Sequence, residues 1–197
     1  MSYDLIEINR IKEYAKQENI PIMQDDGIDF LTTFIEKKQI KNILEIGTAI
    51  AYSAIMMARV SKDIHITTIE RDEVRYMEAL KNIKKFNLEN RITLIFNDAL
   101  NVEINDKYDL IFIDAAKGKN IEFFNHFEKN LDVDGYIITD NMGFHGYVEM
   151  NEDDIPSKNI RGIVRKIKDY IYFLENNMVY RTTIYKIGDG IAVTERR

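Results

Sequence analysis

Cysteine is absent from this chain of 197 residues, which excludes disulfides, thiolate catalysis and cysteine-ligated zinc. Proline occurs twice and glycine nine times, and neither gathers into a linker or a repeat. The chain therefore reads as one domain over residues 1–197, with residues 1–40 as an N-terminal helical cap. No apolar run approaches the roughly 20 residues needed to span a bilayer. The first ten residues lack the basic-then-apolar layout of a secretory signal. These absences point to a cytoplasmic protein with no membrane partner.

What is present is a chain able to bury a core: 45% of residues are hydrophobic and 30% charged. The net charge of −6 argues against nonspecific coating of nucleic acid. Its distribution is uneven. Residues 156–197 carry nine Lys/Arg against four Asp/Glu, which leaves −11 on residues 1–155. A basic stretch on an acidic body is either a solvated helix face or a docking surface for a polyanion.

Periodicity predicts two amphipathic helices first, Tyr3–Gln17 and Asp25–Lys38, the former with Leu5, Ile8, Ile11 and Tyr14 on one face. Short β-branched runs then alternate with helical segments. Strands are expected at Asn42–Ile46, His65–Glu70, Ile92–Phe96, 109–114 and 136–140, with helices near 52–61, 72–86, 120–130 and 157–174. Nearly unbroken apolar strands such as Leu110-Ile111-Phe112-Ile113 indicate a parallel sheet covered on both faces. Two last strands, 182–187 and 191–194, flank Gly188-Asp189-Gly190, a hairpin signal that requires an antiparallel pair. The expected fold is α/β: a Rossmann-like, mostly parallel seven-stranded sheet with a C-terminal antiparallel hairpin and helices on both faces.

In such sheets ligands bind beyond the carboxyl ends of the strands, where the strand order reverses. The first strand leads through Glu45 into Gly47-Thr48-Ala49-Ile50-Ala51-Tyr52-Ser53, where Gly47 permits a tight turn. Amides at the helix start and the Ser53 hydroxyl can receive a carboxylate. Glu70 ends the second strand, 23 residues after Gly47, and is placed to accept from both ribose hydroxyls. Asp98 beside Ala99 suits an adenine amino group. A dehydrogenase would need a tighter glycine fingerprint for a pyrophosphate, and here bulky Ile50 and Tyr52 follow a single glycine. S-adenosylmethionine (SAM), which has no phosphates, fits better, so a methyltransferase is expected. Capping of the following helix accounts for Asp72 but not for so many acids at one sheet edge.

Asp114, Asp140 and Asn141 end adjacent strands and are all oxygen donors, half an octahedron for Mg²⁺ or Mn²⁺. Lys117, three residues beyond Asp114, is the candidate catalytic residue, as general base or as a cation steadying an oxyanion. Lys119 reads as a surface lysine. Of the three histidines, His65 reads as structural, His126 as a surface residue and His145 as a neighbour of the site.

With these residues in view, the chain resembles the cation-dependent catechol/caffeoyl-CoA-type O-methyltransferase family over nearly its whole length. The resemblance rests on residues 44–53, 68–70, 97–99, 112–117 and 137–141. Within that family it looks most similar to bacterial tRNA 5-hydroxyuridine methyltransferases. The matching features are Asp114-Ala115-Ala116-Lys117-Gly118, Thr139-Asp140-Asn141 with Gly143-x-x-Gly146, and Gly188-Asp189-Gly190-Ile191-Ala192. The resemblance implies that Met23 approaches the cofactor, that Gly47 and Ser53 hold its amino-acid end, Glu70 its ribose, and Asp98 and Ala99 its adenine. It further implies that Asp114 serves cofactor and metal, that Asp140 and Asn141 complete the metal site, and that the protein is a homodimer. Ala51 departs from the family, which usually has glycine there.

Both a catechol and 5-hydroxyuridine present a hydroxyl beside a second oxygen, so the metal site alone does not choose between them. Lys158, Arg161, Arg165 and Lys168 form a stripe at helical spacing suited to the phosphates of a tRNA anticodon stem-loop. Glu149, Glu152, Asp153 and Asp154 oppose it. The expected substrate is the wobble base of tRNA, with a small catechol-like phenol as the alternative. A noncatalytic SAM- or RNA-binding protein would not need Asp114, Lys117, Asp140 and Asn141 intact.

Overall fold

A computed structural model describes residues 3–197 of the chain. Two helices, α1 (Tyr3–Gln17) and α2 (Asp25–Lys38), precede β1 (Asn42–Ile46). There follow α3 (Tyr52–Ala58), β2 (His65–Glu70), α4 (Glu73–Lys85), β3 (Ile92–Phe96) and β4 (Tyr108–Ile113). The chain continues through α5 (Asn120–Phe127), β5 (Leu131–Thr139), α6 (Lys158–Glu175), β6 (Tyr180–Tyr185) and β7 (Ile191–Arg196). The seven strands form one sheet in the order β3-β2-β1-β4-β5-β7-β6. β1 to β5 pair in parallel, and β7 runs antiparallel to both β5 and β6.

Period-two alternation sends successive strand residues to opposite faces, and here both faces are covered. Ile43, Leu110, Phe112 and Ile138 pack into one cluster with α1 to α4. Leu44, Ile46, Ile111, Ile113 and Ile137 pack into the other with α5 and α6. On the second face Phe124 meets Phe173 and Tyr180 edge-on, with ring centroids 5.2 and 5.4 Å apart. The buried Tyr170 hydroxyl shares a 2.9 Å hydrogen bond with Thr139, the last residue of β5. On α1, Ile8 and Ile11 are buried as expected, whereas Leu5 stays half exposed.

Some boundaries differ from expectation. β4 and β5 stop at Ile113 and Thr139, so Asp114 and Asp140 stand on the loops beyond the strands. β5 begins at Leu131 across a register shift, and Asp132, Val133 and Asp134 there are exposed, which hides the strand from any reading of apolar alternation. β6 lies two residues earlier than expected, and α3 ends at Ala58. Asp72 and Ser157 are N-caps, accepting from the Arg75 and Ile160 amides. Among the described residues, no helix is long and apolar enough to cross a membrane.

The strand order reverses between β1 and β4, and the loops after β1, β2, β3, β4 and β5 meet at this edge. Core packing on the α5–α6 face should therefore be felt at the site through Thr139. Phe124→Ala is expected to cost about 3–5 kcal/mol and Tyr170→Phe about 1–2 kcal/mol. Urea unfolding midpoints of the two variants check the order.

Candidate functional site

β1 turns at Gly47, whose φ of +99° lies in the left-handed region. A Cβ there would sit 2.4 Å from the carbonyl oxygen of Asp114, so only glycine lets the turn after β1 approach the end of β4. The turn continues through Ala49 and Ala51, also left-handed at φ 47° and 66°. Ala51 thus occupies, with a Cβ, a conformation that favours glycine.

Glu70 supports this turn from the end of β2. Its Oε2 accepts from the Ala49 amide at 2.8 Å, and its Oε1 accepts from the Arg71 and Asp72 amides at 2.9 and 2.8 Å. A carboxylate offers about four acceptor positions, so one remains on Oε2 rather than the pair expected for two ribose hydroxyls. Asp98 caps a short 3₁₀ turn (Ala99–Asn101) by accepting from the Leu100 amide, and its other oxygen accepts from Arg71 at 3.2 Å. The Leu100 amide, and after it Arg71, hold its carboxyl below the usual range.

Beneath the turn lies Glu45, fully buried. Ser53 and Thr68 donate to its two oxygens, each at 2.5 Å, and Thr48 bonds Thr68 at 2.6 Å. Burial pushes the Glu45 carboxyl up to about 8 against the pull of the two hydroxyls. The Ser53 hydroxyl is thereby engaged by Glu45. What Ser53 can offer a ligand is its amide in the first turn of α3.

Beyond β4 and β5 the second group of residues gathers. Lys117 Nζ donates to Asp114 Oδ1 at 2.6 Å. Asp140 is 4% exposed, and burial, then the Asp114 carboxylate, push it up to about 7. Asn141 is left-handed at φ 62°. Among the described residues no group of three or more His, Cys, Asp or Glu side chains is placed to hold a metal ion. The candidate donors here are two carboxylates and an amide. Their chemistry suits a hard divalent cation: all are oxygens, and Asp140 is a buried acid beside a second one.

Met23, Gly47, Ser53, Glu70, Asp98, Ala99, Asp114, Lys117, Asp140, Asn141 and His145 all line one cavity of about 540 Å³, within the usual size of small-molecule sites. Met23 reaches it from the α1–α2 connection, and that connection is fixed by a Lys12–Asp25 ion pair. His65 lies exposed at the start of β2, away from the cavity. His126 is half-buried rather than on the surface, sharing a 3.0 Å bond with the Val102 carbonyl. Asp189 reads in the sequence only as a turn residue, yet it is buried and lines the cavity, as do Arg71, Phe123 and Phe144.

A nucleoside-sized cavity ringed by strand-end acids, at the reversal point of a sheet closed by an antiparallel hairpin, defines a SAM-dependent methyltransferase. The O-methyltransferase family profile matches residues 2–197, and the chain belongs to that family. It is similar to a Staphylococcus aureus structure provisionally ascribed as a caffeoyl-CoA O-methyltransferase, at 38% identity and a TM-score of 0.92, covering 96% of this chain and 92% of that one. A Bacillus cereus O-methyltransferase solved in complex with SAH matches at 25% identity and a TM-score of 0.82, covering 97% and 90%. The flavonoid 3',5'-methyltransferase of Vitis vinifera is 25% identical over 194 residues, 93% of this chain and 81% of that protein.

Glu45 makes stability depend on pH in a definite direction. Below 4.5 its carboxyl is protonated whether the chain is folded or not; between 4.5 and about 8 only the unfolded chain releases the proton. Stability should fall as pH rises through that window, by at most about 1.4 kcal/mol per pH unit. Glu45→Gln should flatten this dependence, as urea titrations across the window would record.

Proposed function

We propose that this O-methyltransferase acts on a hydroxyl lying beside a second oxygen, using Mg²⁺ or Mn²⁺ held by Asp114, Asp140 and Asn141, and that its substrate is 5-hydroxyuridine at the tRNA wobble position. The observation that carries the reading is the meeting of those three oxygen donors with Glu70 and Asp98 in one cavity. When bound, the cation supplies Lewis acidity that lowers the pKa of a neighbouring hydroxyl. The chain's own residues do the rest. Glu70, Asp98 and the turn after Gly47 orient SAM, and Lys117, which donates to Asp114, steadies the oxyanion as an ammonium or takes the hydroxyl proton once it has lost its own. Held in line with the sulfonium methyl, the oxygen attacks that carbon as its bond to sulfur breaks and SAH leaves, with much of the entropic cost already met by binding.

The tRNA reading is supported by the placement of α6. This helix packs against the 3₁₀ turn Lys117–Lys119, so the helix that carries the basic stripe adjoins the turn that carries the candidate catalytic lysine. Lys158 and Lys168 are exposed and Arg161 is partly so. The opposing acids are in part neutralised, since Glu152 pairs with Arg165 and Glu149 with Lys186. Arg165 is accordingly engaged within the protein, and the stripe left for phosphates is Lys158, Arg161 and Lys168, which form no ion pair among the described residues. Half-exposed Leu5 and Ile6 on α1 fit a homodimer built through the N-terminal helices. A second reading, a small catechol-like phenol, is favoured by the flavonoid activity in the name of the Vitis vinifera relative.

Incubation with methyl-labelled SAM, Mg²⁺ and tRNA bearing 5-hydroxyuridine, beside a catechol panel, separates the two; label in catechols but never in tRNA overturns the RNA reading. Asp140→Ala should abolish Mg²⁺-dependent turnover and leave SAM affinity within a few-fold, and unchanged turnover would remove the cation assignment. Arg161→Ala with Lys168→Ala should weaken tRNA binding and reduce its logarithmic salt slope by about 1–2. An unaltered slope would count against the stripe.

A further inference from the structure

Asp189 stands at the tip of the β6–β7 hairpin, 7% exposed and 48 residues from the loop it touches. Its Oδ1 accepts from the His145 amide at 2.5 Å and its Oδ2 from the Asn141 side-chain amide at 3.2 Å. The neighbouring backbone adds two bonds, from the Met142 amide to the Gly190 carbonyl at 2.9 Å and from the Gly143 amide to the Asp189 carbonyl at 2.6 Å. The contact leaves no slack, since a Cβ on Gly190 would lie 2.7 Å from the Gly143 nitrogen. The loop so gripped is strained: Asn141, Phe144 and His145 hold φ values of 62°, 45° and 56°. Such conformations persist where the surroundings over-determine them.

The chemistry of the grip is directional. A carboxylate accepts and does not donate, whereas an amide side chain has a donating and an accepting end. The end of Asn141 that faces Asp189 must therefore be the nitrogen, which leaves the oxygen as the free end. We propose that Asp189 is a positioning residue that fixes the amide orientation of Asn141 and thereby makes Asn141 a cation ligand, an inference that rests on the cation site put forward above. Were the amide inverted, Asn141 would present an N–H₂ group beside Asp140, and that group donates where a cation needs an acceptor.

The isosteric change Asp189→Asn tests this sharply. The His145 amide cannot invert, so it claims the one carbonyl oxygen of the new side chain. The new N–H₂ then faces Asn141 at 3.2 Å, nearer than the His145 Nδ1 at 3.7 Å, and Asn141 accepts from it by turning its own oxygen inward and its nitrogen outward. Direct Mn²⁺ titration, followed by electron paramagnetic resonance in the absence of methyl acceptor, should show affinity reduced ten- to a hundredfold. SAM affinity and thermal midpoint should stay close to those of the wild type, which a general loosening of the fold would not allow.

The second arm is reciprocal. Asn141→Asp places a carboxylate where the Asp189→Asn side chain can donate to it, so in that background it should restore Mn²⁺ binding. Its effect there should be at least tenfold more favourable than in the wild-type background, where two carboxylates would face each other. Equal effects in both backgrounds, or wild-type Mn²⁺ affinity in Asp189→Asn, overturn the positioning role. A wild-type protein that binds no Mn²⁺ overturns the cation site itself, a separate outcome. If Asp189→Asn alone fails to fold, the double variant decides: recovery of fold and Mn²⁺ binding supports the exchange of donor and acceptor, and failure of both overturns it.

Discussion

One missing atom at residue 47 governs the geometry of this protein. Because Gly47 has no Cβ, the turn after β1 rests against the backbone of Asp114, and two strand ends that would otherwise be held apart share a wall. The turn presents amides and the β4 end presents a carboxylate and, one 3₁₀ turn on, Lys117. On the function proposed above, a methyl donor lodged on the first and an acceptor lodged on the second would thereby be neighbours. The parallel sheet makes this possible in general by sending five strand ends to one edge; the glycine makes it close.

The second constraint is electrostatic. Glu45, Glu70 and Asp140 are all buried near this edge, and burial of acids is costly unless they are neutral, hydrogen-bonded or matched by positive charge. The three are handled differently. Glu45 is shielded by hydroxyls and raised, Glu70 accepts from three amides with one position left open, and Asp140 is left beside Asp114 with Lys117 as the nearby cation. Around the cavity Glu70, Asp98, Asp114, Asp140 and Asp189 outnumber Arg71, Arg75 and Lys117, a balance suited to ligands that carry positive charge, a description that covers a sulfonium and a divalent cation alike.

Much of this architecture is legible in the amino-acid sequence. β1, β2 and β3 begin and end where their residues predict, because their β-branched runs stop abruptly at Gly47, Glu70 and Asn97 and all their partners are parallel neighbours. The strand-end acids are legible for the same reason: a parallel sheet forces Glu70, Asp98, Asp114 and Asp140 to one edge once the strands are known. The first half of β5 is not, because Asp132, Val133 and Asp134 face solvent and a register shift breaks the alternation. Asp189 is hidden for a deeper reason. A Gly-Asp-Gly turn is explained locally by its own geometry, and no short-range signal says that its side chain reaches back to Asn141. The engagement of Arg165 by Glu152 is likewise invisible, since the stripe on α6 is set by helical spacing but its availability is set by a loop.

The reach of the hairpin tip also orders events in time. Residues 23–114 supply the turn, the acids after β2 and β3 and the wall they share, whereas Asn141 waits for a partner made 48 residues later. At roughly 5–20 residues per second of synthesis that interval is about 2–10 s. During it a nascent chain carries Asp140 and Asn141 on a loop without its clasp, so the side of the cavity beyond β5 is the last part to be born.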